Sequence, residues 1–294
     1  MNLIDATDVP HHLAEGPFWD PVRERLLWVD IMAGDVLVGR LGVDDRIEVD
    51  ERVTFPDTAG AVAVSAAGEW VVAGKHRLHH RTSDGRMLAG PALIDGARRR
   101  FNDGAPDPAG RFLVGTKGDG EELLMQVDVD GAARVIDDDL GLSNGLAWSA
   151  DGRTLFSVDT PSRRIFARDY DPETGATGER RLFTTIEEGF PDGMTTDAED
   201  HLWVAIWGGG CVLRVDGTGA VVTRIDVPAP HVTCPVFAGP ELDVLVITTA
   251  TEDMPPDELR RHPLAGRLFT CRPGVRGNPP HLWAGIPHDS GRES

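Results

Sequence analysis

The chain has 294 residues, a formal net charge of −19, 34 glycines and 21 prolines, a composition that suits many short strands joined by tight turns. An acidic chain without a basic patch argues against nucleic acid and anionic membrane as partners, and three scattered cysteines (Cys211, Cys234, Cys271) make neither a disulfide framework nor a zinc ribbon. The first residues lack the basic and apolar regions of a signal peptide and no apolar run approaches the ~20 residues of a membrane helix, so a cytoplasmic location is expected.

Taken in order, the chain repeats. Similar stretches start at Glu15 (Glu15-Gly16-Pro17-Phe18-Trp19), Gly60, Asn102, Asn144, Asp192 and Cys234, separated by 45, 42, 42, 48 and 42 residues. Eight residues past each of these anchors a turn position is expected, at Arg23, Gly68, Gly110, Gly152 and Asp200 in the first five units, followed by a short apolar run such as Leu26–Val29, Phe112–Val114 or Leu202–Val204. Such runs are too short for helices and rich in β-branched and aromatic residues. A unit of about 42 residues with four strands is the size of a propeller blade, so residues 1–294 are expected to form one all-β domain, a six-bladed β-propeller of four-stranded antiparallel blades. Residues Asp257–His262 suit one helical turn, Asn2–Ala6 and His281–Ala284 are expected to pair and close the ring, and the polar tail 287–294 is expected to fray.

The register also predicts chemistry. In a propeller the first strand of each blade lines the central channel, so residues at one register converge on the axis. Glu15, Asn102, Asn144 and Asp192 carry oxygen donors and no anchor is cationic. Two carboxylates and two amides buried together call for a hard divalent cation. The competing reading is that Asn and Asp precede Gly as turn formers, and Pro191-Asp192-Gly193 reads as such a turn. With a cation present, Asp192 could take a proton from water. Strand alternation puts Arg100 on the side of Asn102, where its guanidinium could hold substrate oxygens.

These stretches resemble the regucalcin (senescence marker protein)/gluconolactonase family. The resemblance rests on Glu15-Gly16-Pro17, Arg100-Phe101-Asn102-Asp103-Gly104 with Asp107-Pro108-Ala109-Gly110-Arg111, Ser143-Asn144-Gly145-Leu146-Ala147-Trp148-Ser149, Ser157-Val158-Asp159-Thr160, and Pro191-Asp192-Gly193-Met194. It implies a six-bladed propeller that opens a small-molecule sugar lactone to the aldonic acid with one divalent metal ion, and it leaves Ca²⁺, Mg²⁺, Mn²⁺, Zn²⁺ and Fe²⁺ as candidates and the oligomeric state open. Carried over by motif, Glu15, Asn144 and Asp192 are metal ligands, Asp192 is also the catalytic base, and Arg100 and Asn102 bind substrate, Asn102 also being a candidate to touch the metal through water. The loop Lys117–Glu122 is shorter than in family members, some of which place a substrate-contacting Glu there; Glu121 is the nearest counterpart. The alternatives are a non-enzymatic metal-binding propeller and a propeller arylesterase or organophosphate hydrolase.

Other motifs carry less. Gly141-Leu142-Ser143-Asn144-Gly145 matches G-x-S-x-G but is followed by another strand-like run, not by the helix that a nucleophile elbow needs. Asp169–Gly175 resembles a calcium loop with its Gly out of place and reads as a hairpin turn. His76, His79 and His80 read as surface or rim histidines, with His76 able to face the channel, and Cys234 reads as a small packed residue.

Overall fold

The computed structural model describes residues 2–285. Six four-stranded antiparallel sheets stand in a ring, as the repeat predicts. Blade 1 runs through Ala14–Asp20, Arg25–Asp30, Asp35–Leu41 and Ile47–Thr54, from the axis outward. The inner strands of blades 2 to 6 are Val62–Val64, Arg100–Pro106, Ser143–Trp148, Phe190–Thr196 and Val232–Ala238. Each inner strand packs beside the next, and that of blade 6 packs against that of blade 1.

The turn between the first and second strands of a blade repeats because one residue type recurs. Five residues past the anchors of the first five blades stand Asp20, Ser65, Asp107, Ser149 and Asp197. Each side chain accepts hydrogen bonds from backbone N–H groups of its own turn: Val22 and Arg23 on Asp20, Glu69 on Ser65, Ala109 and Arg111 on Asp107, Thr154 on Ser149, Glu199 and His201 on Asp197. These short side chains satisfy turn donors that the strands leave unpaired.

The blades meet through apolar faces. Trp28, Trp203, Phe101, Phe112 and Phe269 are among the largest fully buried side chains, and each such burial contributes about 1.5–3 kcal/mol. Trp203 of blade 5 meets Phe237 of blade 6 edge to face, ring centres 5.8 Å apart.

The ring closes differently from the expectation. Ile4–Asp5 pairs with Phe269–Cys271, which in turn pairs with Val244–Thr249, so both ends of the chain build blade 6. Residues 281–284 do not take part. They cross under blades 2 and 3 instead, with Trp283 N–H on Val64 O at 3.0 Å and Ala284 N–H on Gly110 O at 2.9 Å. The physical reason lies in Pro279 and Pro280, which lack the N–H groups a ladder needs, and in Trp283, which packs into the core of blades 1 to 3. The expected helical turn is Pro256–Arg261. The tail 287–294 lies outside the described residues. Among the described residues no helix is long and apolar enough to cross a membrane.

Candidate active site

The anchors do converge. Glu15, Asn102, Asn144 and Asp192 lie in the inner strands of blades 1, 3, 4 and 5, each with 6% or less of its surface exposed. In each of these strands the pairing with the second strand shifts register at the anchor, between Glu15 and Phe18, Phe101 and Gly104, Asn144 and Leu146, and Pro191 and Met194. The irregularity leaves Asn102 and Asp192 unpaired in the ladder and begins directly after the paired Glu15 and Asn144, bending each inner strand at the level of its anchor. The turn-former reading is thereby corrected: Pro191-Asp192-Gly193 lies inside a strand, as does Asn144-Gly145. The glycine has another cause. A Cβ on Gly145 would fall on the Asp192 carbonyl oxygen, so the glycine lets the blade 5 strand approach the blade 4 strand at the narrowest part of the ring.

The burial makes this site electrostatically tense. Burial pushes the Glu15 carboxyl well above its usual range, and the nearby charges of Asp192 and Asp103 push it further. Asp192 is raised by burial and by Asp103, with Lys117, Asn144 and Glu15 pulling partly back. Asp103 is raised to about 6 by burial. Arg100 is buried too; desolvation lowers its pKa, while Glu252, Glu15 and Asp192 act in the opposite direction.

Two acceptors are left over. Asn144 donates from Nδ2 to Thr160 Oγ1 at 3.3 Å, and its Oδ1 has no hydrogen-bond partner; the same holds for Asp192 Oδ1. Buried acceptors without donors, beside a second carboxylate, are unfavourable alone and suited to a cation. Among the described residues no group of three or more His, Cys, Asp or Glu side chains is placed to hold a metal. The set here is two carboxylates and an amide, all oxygen donors, which fits a hard divalent ion better than a thiophilic one.

Arg100 and Asn102 form a unit beside this set. Arg100 Nη1 donates to Asn102 Oδ1 at 2.7 Å and to Phe101 O at 2.9 Å, and Asn102 Nδ2 donates to Ser143 O of the next blade at 3.1 Å. A cavity of about 250 Å³ opens above the anchors, and Glu15, Arg100, Asn102, Asn144 and Asp192 all line it. Glu121 does not. It is exposed in a left-handed conformation (φ +54°), and its carbonyl accepts from Arg99 Nη2 at 2.9 Å. The buried carboxylate of that loop is Glu122, held by Thr116 Oγ1 at 2.7 Å and by Arg99 Nε at 3.2 Å.

The other motifs find structural roles. Ser143 is buried at the start of an inner strand that leads through a turn into the second strand, which is no nucleophile elbow. His76 Nε2 meets Gly96 O and Arg99 O, His79 pairs with Asp57 at 3.3 Å, and His80 packs against Trp283. Residues 169–175 connect the third and fourth strands of blade 4. Asp103, one residue past its anchor, and Cys234, the blade 6 anchor, do not line this cavity but a separate one of about 330 Å³, with residues further along the inner strands.

Among the cavity residues given no individual role from sequence are Ile31, Lys117, Thr160, Trp207 and Glu252. Four of them share a second register. Ile31, Lys117, Thr160 and Trp207 stand 15 or 16 residues past their anchors, at or just beyond the end of the second strand, which runs antiparallel back to the anchor's level. The repeat therefore carried the signal, one strand further along than the first register.

Residues 13–251 match the family model described as SMP-30/Gluconolactonase/LRE-like region. The pentonolactonase XacC of Haloferax volcanii is 34% identical over 86% of this chain and 87% of its own. The regucalcin of Gallus gallus is 34% identical over 94% of this chain and 96% of its own. The crystal structure of a calcium-binding regucalcin from Agrobacterium tumefaciens superposes with a TM-score of 0.85 at 29% identity, over 95% of each chain. The chain belongs to the SMP-30/gluconolactonase/LRE-like family.

Proposed function

We propose that the protein is a divalent-cation-dependent lactonase that opens a sugar lactone to the aldonic acid. The observation that carries this is the pair of buried acceptors, Asn144 Oδ1 and Asp192 Oδ1, left without donors beside Glu15 in a cavity that also holds Arg100. One relative that aligns over most of both chains is a pentonolactonase.

In this reading Glu15, Asn144 and Asp192 hold the cation, which when bound supplies a Lewis acid for the lactone carbonyl and acidifies water. Arg100 fixes the Asn102 amide through their hydrogen bond, and the two together orient the sugar oxygens. Asp192 takes a proton from the attacking water as its oxygen bonds to the carbonyl carbon. The ring C–O bond then breaks, and the proton passes to the departing ring oxygen, so one water is consumed and a hydroxy acid leaves. Arg100, Asn102, Lys117 and Glu252 supply polar partners for sugar hydroxyls, beside an apolar side that includes Leu13, Ile31, Leu142, Phe190 and Trp207.

A second reading is favoured by the regucalcin relatives, one of which is named as calcium-binding: the cation ties the blades together and no turnover occurs. Stripping the protein, reloading it with each divalent metal and assaying a lactone panel by acid release separates the two. The lactonase reading expects hydrolysis restored by at least one metal. A metal that raises the unfolding temperature while no lactone or ester is opened would overturn it.

A further inference from the structure

The Lys117–Glu252 ion pair spans the ring. Lys117 ends the second strand of blade 3, and Glu252 follows the second strand of blade 6, on the opposite side of the channel. Their side chains meet at 3.5 Å over a cavity that both line, with Lys117 40% and Glu252 16% exposed. A pair this long and this open to water adds little stability. Holding opposite blades together therefore does not explain it.

Both backbones are fixed by other contacts. Glu252 N–H donates to His12 O at 2.9 Å, and the Glu252 carbonyl meets His231 Nδ1 at 2.9 Å. The His231 ring stacks flat on Trp207, 4.0 Å between centres at 11°, and so sets the indole that lines the same cavity. On the other side Lys117 lies opposite Arg100 in the strand ladder, and its loop is pinned by Glu122 to Thr116 and Arg99. The two tips meet only through their own long, flexible side chains.

The cavity, about 250 Å³, is smaller than the roughly 300–1,000 Å³ of sites for drug-sized ligands. Its size suits one small ring. An ammonium that only donates and a carboxylate that only accepts are complementary to hydroxyl groups, which do both. Trp207 offers an apolar face to the carbon side of such a ring.

We propose that Lys117 and Glu252 form a bar across the cavity mouth that parts as substrate enters, Lys117 then donating to ring hydroxyls and Glu252 accepting from them, so that the site selects a single-ring polyhydroxylated lactone over one without hydroxyls. This rests on the lactonase reading above. The test compares kcat/KM for matched pairs that share a ring and an ester bond: a pentono-1,4-lactone against γ-butyrolactone, and a hexono-1,5-lactone against δ-valerolactone. Lys117→Met and Glu252→Gln are each expected to lower the ratio of sugar to plain lactone by roughly tenfold, chiefly through KM. The double variant should fall short of the product of the two, because the groups act on one ligand. Lys117→Arg should recover part of the ratio. The proposal is overturned if both single variants keep the ratio within about twofold of wild type, the scatter of independent sites. It is equally overturned if activity on sugar and plain lactones falls in parallel, which would mark a structural role. Wild-type protein that opens no lactone overturns the bar and the lactonase reading together, whereas active wild type with an unmoved ratio overturns the bar alone.

Discussion

Arg100 Nη1 donates to Asn102 Oδ1 at 2.7 Å, so the buried guanidinium of the cavity is committed to orienting an amide, and with Lys117 it offsets the charges of Glu15 and Asp192 only in part. Arg100→Lys keeps the charge and loses the planar fork that binds Asn102 and Phe101 together. Lactone hydrolysis is expected to fall by about ten- to a hundredfold in kcat/KM, with the protein still folded by circular dichroism. Steady-state kinetics check this, and wild-type kcat/KM in the Lys variant would remove Arg100 from substrate orientation.

Asp192→Asn separates catalysis from stability. It keeps the shape and loses the base and the charge, so hydrolysis should drop by about 10²–10⁴. In the metal-stripped protein the same change relieves a buried carboxylate close to Glu15 and Asp103. The stripped variant should therefore melt above stripped wild type, by roughly 2–4 °C for each kcal/mol relieved. A stripped variant that melts lower would show that the charge is compensated in a way the hydrogen bonding does not reveal.

The pKa shifts set a pH dependence. Glu15, Asp103 and Asp192 all lie above their unfolded values, Asp103 at about 6. In the metal-free state these groups bind protons more tightly when folded. Their contribution is thus fully present below the unfolded carboxyl range of about 4 and is lost as pH rises through the folded values. A bound cation does the same work as the protons, so the gap in unfolding temperature between loaded and chelator-treated protein should widen from pH 5 to pH 8. Thermal scans across that range test it; a gap independent of pH would show that these carboxylates do not hold the ion.

Away from the site, Asp107 is fully buried and accepts from Ala109 N at 2.9 Å, Arg111 N at 2.8 Å and Tyr170 Oη at 2.5 Å, and it pairs with the Arg111 guanidinium. Tyr170 belongs to blade 4 and thereby ties it to blade 3; burial and the Asp107 charge hold its phenol well above the usual range. Asp107→Ala removes the charge that faces the buried Arg111 guanidinium, which keeps only carbonyl acceptors at Pro172 and Glu173, and also the Tyr170 hydroxyl's nearer acceptor, and should cost about 3–5 kcal/mol. Tyr170→Phe removes the hydroxyl that meets Asp107 at 2.5 Å and Gln126 Oε1 at 3.3 Å, leaves the Asp107–Arg111 pair in place and should cost about 0.5–1.5 kcal/mol. Urea unfolding of both variants checks the order, which would be reversed if packing of the ring outweighed the polar network.

The fold and the anchors were legible because a repeat turns one-dimensional spacing into convergence: Glu15, Asn102, Asn144 and Asp192 share a register, and the ring brings them to one axis. Local chemistry was the weaker guide. Asp192-Gly193 has the composition of a turn, yet it is a strand bulge whose glycine admits a neighbouring strand. The pairing of Lys117 with Glu252 was invisible for another reason. Their meeting depends on two side chains reaching across from opposite blades, which no spacing within a repeat encodes. Glu121 was reached by counting along a loop of altered length, where register is lost and the conformation is set by Arg99 and Glu122.

The composite sixth blade bears on how the chain is made. Ile4–Asp5 leaves the ribosome ahead of every other strand, yet its partner Phe269–Cys271 emerges last among the described strands. The nascent chain can stack its blades one after another as each hairpin appears, but the circle cannot shut until Phe269–Cys271 is out. Until then Ile4–Asp5 waits without its partner, and the face of blade 1 that packs on blade 6 stays open to water and to other chains.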